Sequence, residues 1–165
     1  MATKSLFRVV GTILVYTIYE ELNNNPRRYQ FLITKRSNHQ IVFPGLWTIP
    51  GGGLEYKDYL GEPRLYNHPQ WYGVIETAMR RELYEETKLC AGELQPITDL
   101  VFIQPSGVHV LVLSYMAPYK SGSIELDTAE CSEYAWITVE DVHKYKFIHG
   151  IEEEIIQANK KLPPL

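Results

Sequence analysis

The six residues Arg81-Glu82-Leu83-Tyr84-Glu85-Glu86 set the strictest condition on how this chain can fold. They lie in a helix predicted from Tyr72 to Lys88, along which each residue advances about 100°. On that spacing Glu82 and Glu86 stand nearly above one another, on the side that carries Ile75, Ala78, Met79 and Leu83. Two carboxylates four residues apart repel, and a buried unpaired carboxylate costs several kcal/mol or takes up a proton. Folding alone would not select such a face, and a solvated acidic surface does not explain acids that share a side with apolar residues. A divalent cation does.

With 165 residues, 45% of them hydrophobic and 22% charged, the chain suits one globular domain with a substantial core. A net charge of −4 and a pI near 5.7 exclude a broad basic surface for long nucleic acid, whereas a small phosphorylated ligand needs only a local positive site. Cys90 and Cys131 have no CxxC spacing, so they read as buried thiols and not as a disulfide or zinc framework. The N-terminus lacks the apolar core of a signal peptide, and no run approaches the roughly 20 apolar residues of a membrane span. A cytoplasmic protein with no membrane contact is the expectation.

Phe7 to Tyr19, rich in Val, Ile, Thr and Tyr, reads as a long strand with a possible bulge at Gly11. A turn around Asn23-Asn24-Asn25-Pro26 leads to a returning strand, Tyr29 to Thr34, and then to a loop that runs to Trp47. Lys35 and Arg36 end that strand, either as solvated charges or facing phosphate. A short strand at Trp47 to Pro50 runs into Gly51-Gly52-Gly53, whose backbone can come close to a ligand or ion. Tyr56 to Trp71 has no clear period and reads as an inserted loop. After the acidic helix, Leu100 to Gln104 and Val108 to Met116 form a hairpin about Pro105-Ser106-Gly107, and Tyr134 to Ile137 is another strand. Thr138 with Asp141 resembles a capping box, and Gly150 introduces a last helix with Ile151, Ile155 and Ile156 on its packing side. Strands with helices on both sides make an α/β (α+β) fold, a mixed β-sheet sandwiched between helices.

Gly52, Glu55 and Arg81 to Glu86 together resemble the Nudix box, G-x5-E-x7-R-E-U-x-E-E-x-G-U with U aliphatic. Glu130, six residues before Trp136, stands where several members carry another metal-binding acid before a similar Trp. The order of elements also agrees, so the resemblance covers nearly the whole chain and implies a Nudix-like α/β/α sandwich. There are three departures. About 15 extra residues lie inside the motif. Counting back from Arg81 lands on Gly73, which leaves the box's first acid to Glu62, to Glu76, or to none. Lys88 stands where the box has Gly, so the helix either runs on or ends in a left-handed residue.

The resemblance implies hydrolysis of a nucleoside diphosphate-linked substrate with Mg2+ or Mn2+. A nucleoside triphosphate, including an oxidised one, is the first expectation, and nucleotide sugars and dinucleoside polyphosphates the nearest alternatives. A non-catalytic nucleotide-binding module is the competing class. Glu82 and Glu86 can reach one ion, Glu85 a second ion or a bridging water, and by resemblance the Gly51 carbonyl and Glu130 complete the set. Arg81, four residues before Glu85, either orients that carboxylate or makes an ordinary helix ion pair. Glu82 is the first choice for the base that takes the water's proton, and Glu130 the second. Arg36, Trp47, Gly52, Gly53 and Phe102 are the candidate substrate contacts. Tyr115 and Tyr56, Tyr59, Tyr66, Trp71 and Tyr72 of the insert are further stacking surfaces, while His109 reads as a packed histidine and Tyr84 as pointing away from the metal. Homodimers are frequent in the family.

Overall fold

Strict alternation along the first strand, β1 (Phe7–Tyr19), decides the architecture. Ile13 and Val15 are buried on one side of it and Leu14 on the other, so the sheet must be covered on both faces. The computed structural model describes residues 6–20, 27–60, 68 and 70–165. Its remaining strands are β2 (Arg28–Arg36), β3 (Trp47–Thr48), β4 (Gly51–Gly53), β5 (Cys90–Ala91), β6 (Gln95–Ile103), β7 (His109–Ser121) and β8 (Cys131–Ile137). The helices are α1 (Val74–Thr87) and α2 (Ile151–Lys161), and together these elements form the expected mixed sheet between helices.

β1 and β7 pair in parallel, without interruption, from Phe7 opposite His109 to Tyr16 opposite Pro118. The bulge expected at Gly11 is therefore absent; a Cβ there would lie 2.5 Å from Met79 Cγ, so the glycine serves helix packing. The opposite edge of β1 is shared: its C-terminal end pairs with β2, whereas residues Val10 to Thr12 pair with β4. Past Phe31, β2 continues against β8 and meets β3 at Thr34 and Lys35. This divergence directs the glycine strand β4 toward α1.

Met79, Leu83 and Leu89 pack with Ile13, Val15 and Leu32 on one face. Ile151, Ile155 and Ala158 of α2 pack with Leu14, Phe31, Ile33 and Met116 on the other. Helix α1 ends at Lys88, which adopts a left-handed conformation (φ 62°) and donates its amide to the Tyr84 carbonyl (2.9 Å). The two-residue β5 was not legible as a strand. His109 begins β7, exposed, and packs at the surface edge-on to Phe7 and not in the core. Cys131 is buried but Cys90 is exposed, which corrects the expectation of two buried thiols.

Candidate active site

The site is assembled where β4 meets α1. A Cβ on Gly52 would lie 2.3 Å from the Glu82 carboxylate carbon, so only glycine lets the strand pass this close to the helix. Arg81 knits the surrounding pieces together. Its Nε and Nη2 donate to the two carboxylate oxygens of Asp58 (2.6 and 3.1 Å), and Nη2 also to the Gly53 carbonyl (3.1 Å). Nη1 donates to Glu82 Oε1 (2.8 Å) and to Glu85 Oε2 (2.9 Å). Lys57 Nζ reaches the other oxygen of Glu85 (3.2 Å). Glu85 is thus one of several partners of Arg81, and these partners hold its guanidinium well above its usual pKa.

Asp58 is the acid that the sequence reading missed. It lies in a 3-10 turn, Tyr56–Asp58, where Oδ2 also accepts the Glu55 amide (2.7 Å). Counted forward from Gly52, it falls where the box has its first Glu. Counting only backward from Arg81 crosses the extra residues and hides it. Glu76 instead pairs with Arg80 (2.8 Å) on the exposed side of α1, and Glu62 lies outside the described residues. Glu55, read as part of the glycine motif, is exposed and pairs with Lys57.

Glu82 and Glu86 are 8% and 5% exposed, and Glu86 Oε2 has no hydrogen-bond partner among the described residues. Glu130 is brought beside them by the segment after β7. The Glu125 and Asp127 amides donate to the carbonyls of Thr87 and Glu86 (3.1 and 3.0 Å), and the Glu130 carbonyl accepts the Ser37 amide (2.7 Å). Burial pushes the Glu86 carboxyl well above the ordinary range, the charges of Glu82 and Glu130 push it further, and a Gly51 backbone hydrogen bond and the charge of Arg36 only partly oppose them. Burial also raises Glu82, against the pull of Arg81. Among the described residues, no three acidic, His or Cys side chains already close on one point. Glu82 lies against Arg81 and Glu86 accepts a backbone hydrogen bond from Gly51. Oxygen-only ligands, one orphaned buried oxygen and a local excess of negative charge fit a hard divalent cation.

On the α2 side of the glycine strand lies a cavity of about 380 Å³. Arg36, Gly51, Gly52, Gly53 and Phe102 line it, as do Arg8 and Phe43, which the sequence reading had not singled out. Arg36 is a structural residue as well as a wall: Nε donates to the Val42 carbonyl (2.8 Å) and Nη2 to Gln40 Oε1 (2.9 Å). These bonds hold the loop that sets Phe43, itself left-handed at φ 55°, near Phe102 with ring centroids 6.2 Å apart. Trp47 is not in the cavity wall. It packs edge-on against Tyr145 (4.9 Å) in the core under α2, because pairing with β2 turns it that way. Tyr84 is exposed with Lys88 Nζ over its ring, away from the acids as expected.

Comparison with known proteins gives the family and the fold. The NUDIX domain profile matches residues 17–158. Nucleoside triphosphatase NudI of Escherichia coli K12 is 28% identical over 125 residues, spanning 70% of this chain and 77% of the relative. NudI of Klebsiella pneumoniae is 26% identical over the same shares. Among solved structures, the NUDIX domain of Shewanella oneidensis NrtR complexed with ADP ribose superposes with a TM-score of 0.70 at 19% identity, covering 96% of this chain and 90% of that one. A MutT NUDIX hydrolase from Burkholderia pseudomallei gives 0.66 at 18% identity, covering 93% and 98%. No described helix is long and apolar enough to cross a membrane. Members of this family act on small nucleotides with divalent metal ions, and with its profile matched over most of its length the chain belongs to the NUDIX domain family as a Nudix pyrophosphohydrolase.

Proposed function

We propose that the chain hydrolyses a nucleoside triphosphate, oxidised forms included, to monophosphate and pyrophosphate with Mg2+ or Mn2+. The observation that carries this reading is the buried pair Glu82 and Glu86, with Glu86 Oε2 unpartnered, across a glycine strand from a cavity of nucleotide dimensions. Glu82, Glu85, Glu86 and Glu130, with the Gly51 carbonyl, would hold the metal. When bound, it neutralises phosphate oxygens and lowers the pKa of water. Arg81 is a positioning residue that holds Glu82, Glu85 and the Asp58 turn in one arrangement. Arg8 and Arg36 supply positive charge at the cavity wall for the phosphates. Water oxygen bonds to phosphorus as the bridging P–O bond breaks; Glu82 takes the water's proton and pyrophosphate departs. Glu130 is the second choice for that proton, and pH–rate profiles of Glu82→Gln and Glu130→Gln separate the two: the true base loses its acidic limb when replaced.

The test is a screen of nucleoside triphosphates, nucleotide sugars and dinucleoside polyphosphates with Mg2+ or Mn2+, scoring phosphate and pyrophosphate. Pyrophosphate from triphosphates is the expected result. Turnover confined to a sugar nucleotide or a dinucleoside polyphosphate would replace the substrate named here, and no turnover at all would leave a binding module.

A further inference from the structure

The cavity wall is mostly apolar, with Val10, Leu100, Val110, Val112 and Ile151 among its residues, yet one end carries a buried carboxyl. Glu154, 4% exposed on α2, lines the cavity and accepts the Ser114 hydroxyl at Oε2 (2.5 Å). Neither residue belongs to the metal site. Opposite Ser114 in the parallel register stands Thr12, which also lines the cavity and is nine-tenths buried. Its hydroxyl has no hydrogen-bond partner among the described residues. A buried polar group without a partner costs about 1–3 kcal/mol. A buried carboxyl held by a Ser behind the wall, and an unpartnered Thr hydroxyl in the wall itself, are therefore poor choices for an apolar cavity by folding alone and good ones for a ligand.

Resting on the nucleotide hydrolase reading, we propose that Glu154, positioned by Ser114 and assisted by Thr12, is the specificity group that reads the base. With Oε2 committed to the Ser114 hydroxyl, Oε1 remains for the ligand and accepts a hydrogen bond. An exocyclic amino group satisfies it, whereas a carbonyl oxygen at that place meets another acceptor and leaves both unpaired. The Thr12 hydroxyl, able to donate or accept, serves the neighbouring ring nitrogen. The site thus favours amino-bearing bases, cytosine over uracil and adenine over hypoxanthine. A polar site of this kind rejects a mismatched analogue more strongly than an apolar pocket rejects a misfit of shape.

The experiment compares kcat/KM for CTP against UTP and for ATP against ITP with Mg2+, alongside metal-free calorimetric binding of CMP, UMP, AMP and IMP. The expected result is a preference of about ten-fold or more for the amino member of at least one pair, in binding and, where turnover occurs, in hydrolysis. In Glu154→Gln the Ser114 hydroxyl holds the amide oxygen, the amide nitrogen faces the cavity, and the preference is lost or reversed. Ser114→Ala weakens it, and a thermal melt of each variant confirms folding. Equal use of both members of both pairs by the wild type, a preference for the oxo member, or an unchanged ratio in folded Glu154→Gln overturns the proposal. Selective binding without hydrolysis of any triphosphate upholds base reading and removes the hydrolase reading. Hydrolysis without selectivity does the reverse, and neither binding nor hydrolysis removes both.

Discussion

Glu86 concentrates the conflict between folding and chemistry in this protein. Its buried, unpartnered oxygen destabilises the metal-free chain, so Glu86→Gln should keep the fold while reducing Mg2+-dependent hydrolysis by at least about 100-fold, read as initial rates. Near wild-type turnover would exclude Glu86 as a ligand. Asp58 and Arg81 form a buried, two-point ion pair. Removing one partner should cost about 3 kcal/mol, so Asp58→Ala is expected to lower the denaturation midpoint and to depress kcat more than KM. Titration separates Asp58 from Glu154. Burial tends to raise Asp58, but the Arg81 hydrogen bond and the Glu55 amide outweigh it and lower its pKa, so its contribution is full above about 3.8 and is lost as pH falls through the folded value. Glu154 is raised by burial against the pull of Ser114. The folded protein holds its proton longer than the unfolded chain, so this contribution is full below about 4.5 and is lost as pH rises through the folded value. Melting temperature followed against pH should flatten on the acidic side in Asp58→Asn and on the alkaline side of 4.5 in Glu154→Gln.

At the scale of elements, α1 and β4 are shaped by two backbone requirements. Lys88 ends α1 in a left-handed conformation that suits glycine, and its exposed side chain makes only solvent-facing contacts, over the Tyr84 ring and to the Glu85 carbonyl (3.3 Å). Lys88→Gly should therefore stabilise the protein by about 1 kcal/mol, a rise in melting temperature of about 2–4 °C by calorimetry. Gly52→Ala has the opposite outcome: the new methyl overlaps the Glu82 carboxylate, and either β4 or Glu82 must move. Activity should fall by at least about ten-fold, with a destabilisation of about 1–3 kcal/mol. Most elements were legible in the sequence because alternation and the 3.6-residue period are local signals, as β1 and α1 show. Strand β5 was not, since its two residues acquire strand geometry only from pairing with β7. The gap between Gly52 and Arg81 concealed the order of the motif, because a long connection leaves no trace of which of its residues folds back.

For the whole molecule, metal binding should be visible without turnover. Mg2+ at about 100 times its dissociation constant adds about 2.7 kcal/mol to the native state, a rise of several degrees in melting temperature that Glu86→Gln should abolish. A wild-type protein indifferent to Mg2+ and Mn2+ would contradict the assignment. The sequence by itself determined the two faces of the sheet, the helical stacking of Glu82 on Glu86 and the reach of Arg81 to Glu85, because each depends on residues a turn or a pleat apart. Tertiary structure alone decided that Arg81 binds Asp58, 23 positions away, that Glu154 meets Ser114, 40 positions away, and that Trp47 turns into the core. It also decided that the segment after β7 carries Glu130 back to α1. Periodicity says which side of an element is buried but not which distant side chain waits there. That is settled only when β4 pairs along the edge of β1 beneath α1 and α2 closes the far face of the sheet, where charge and burial at close range outweigh local preference.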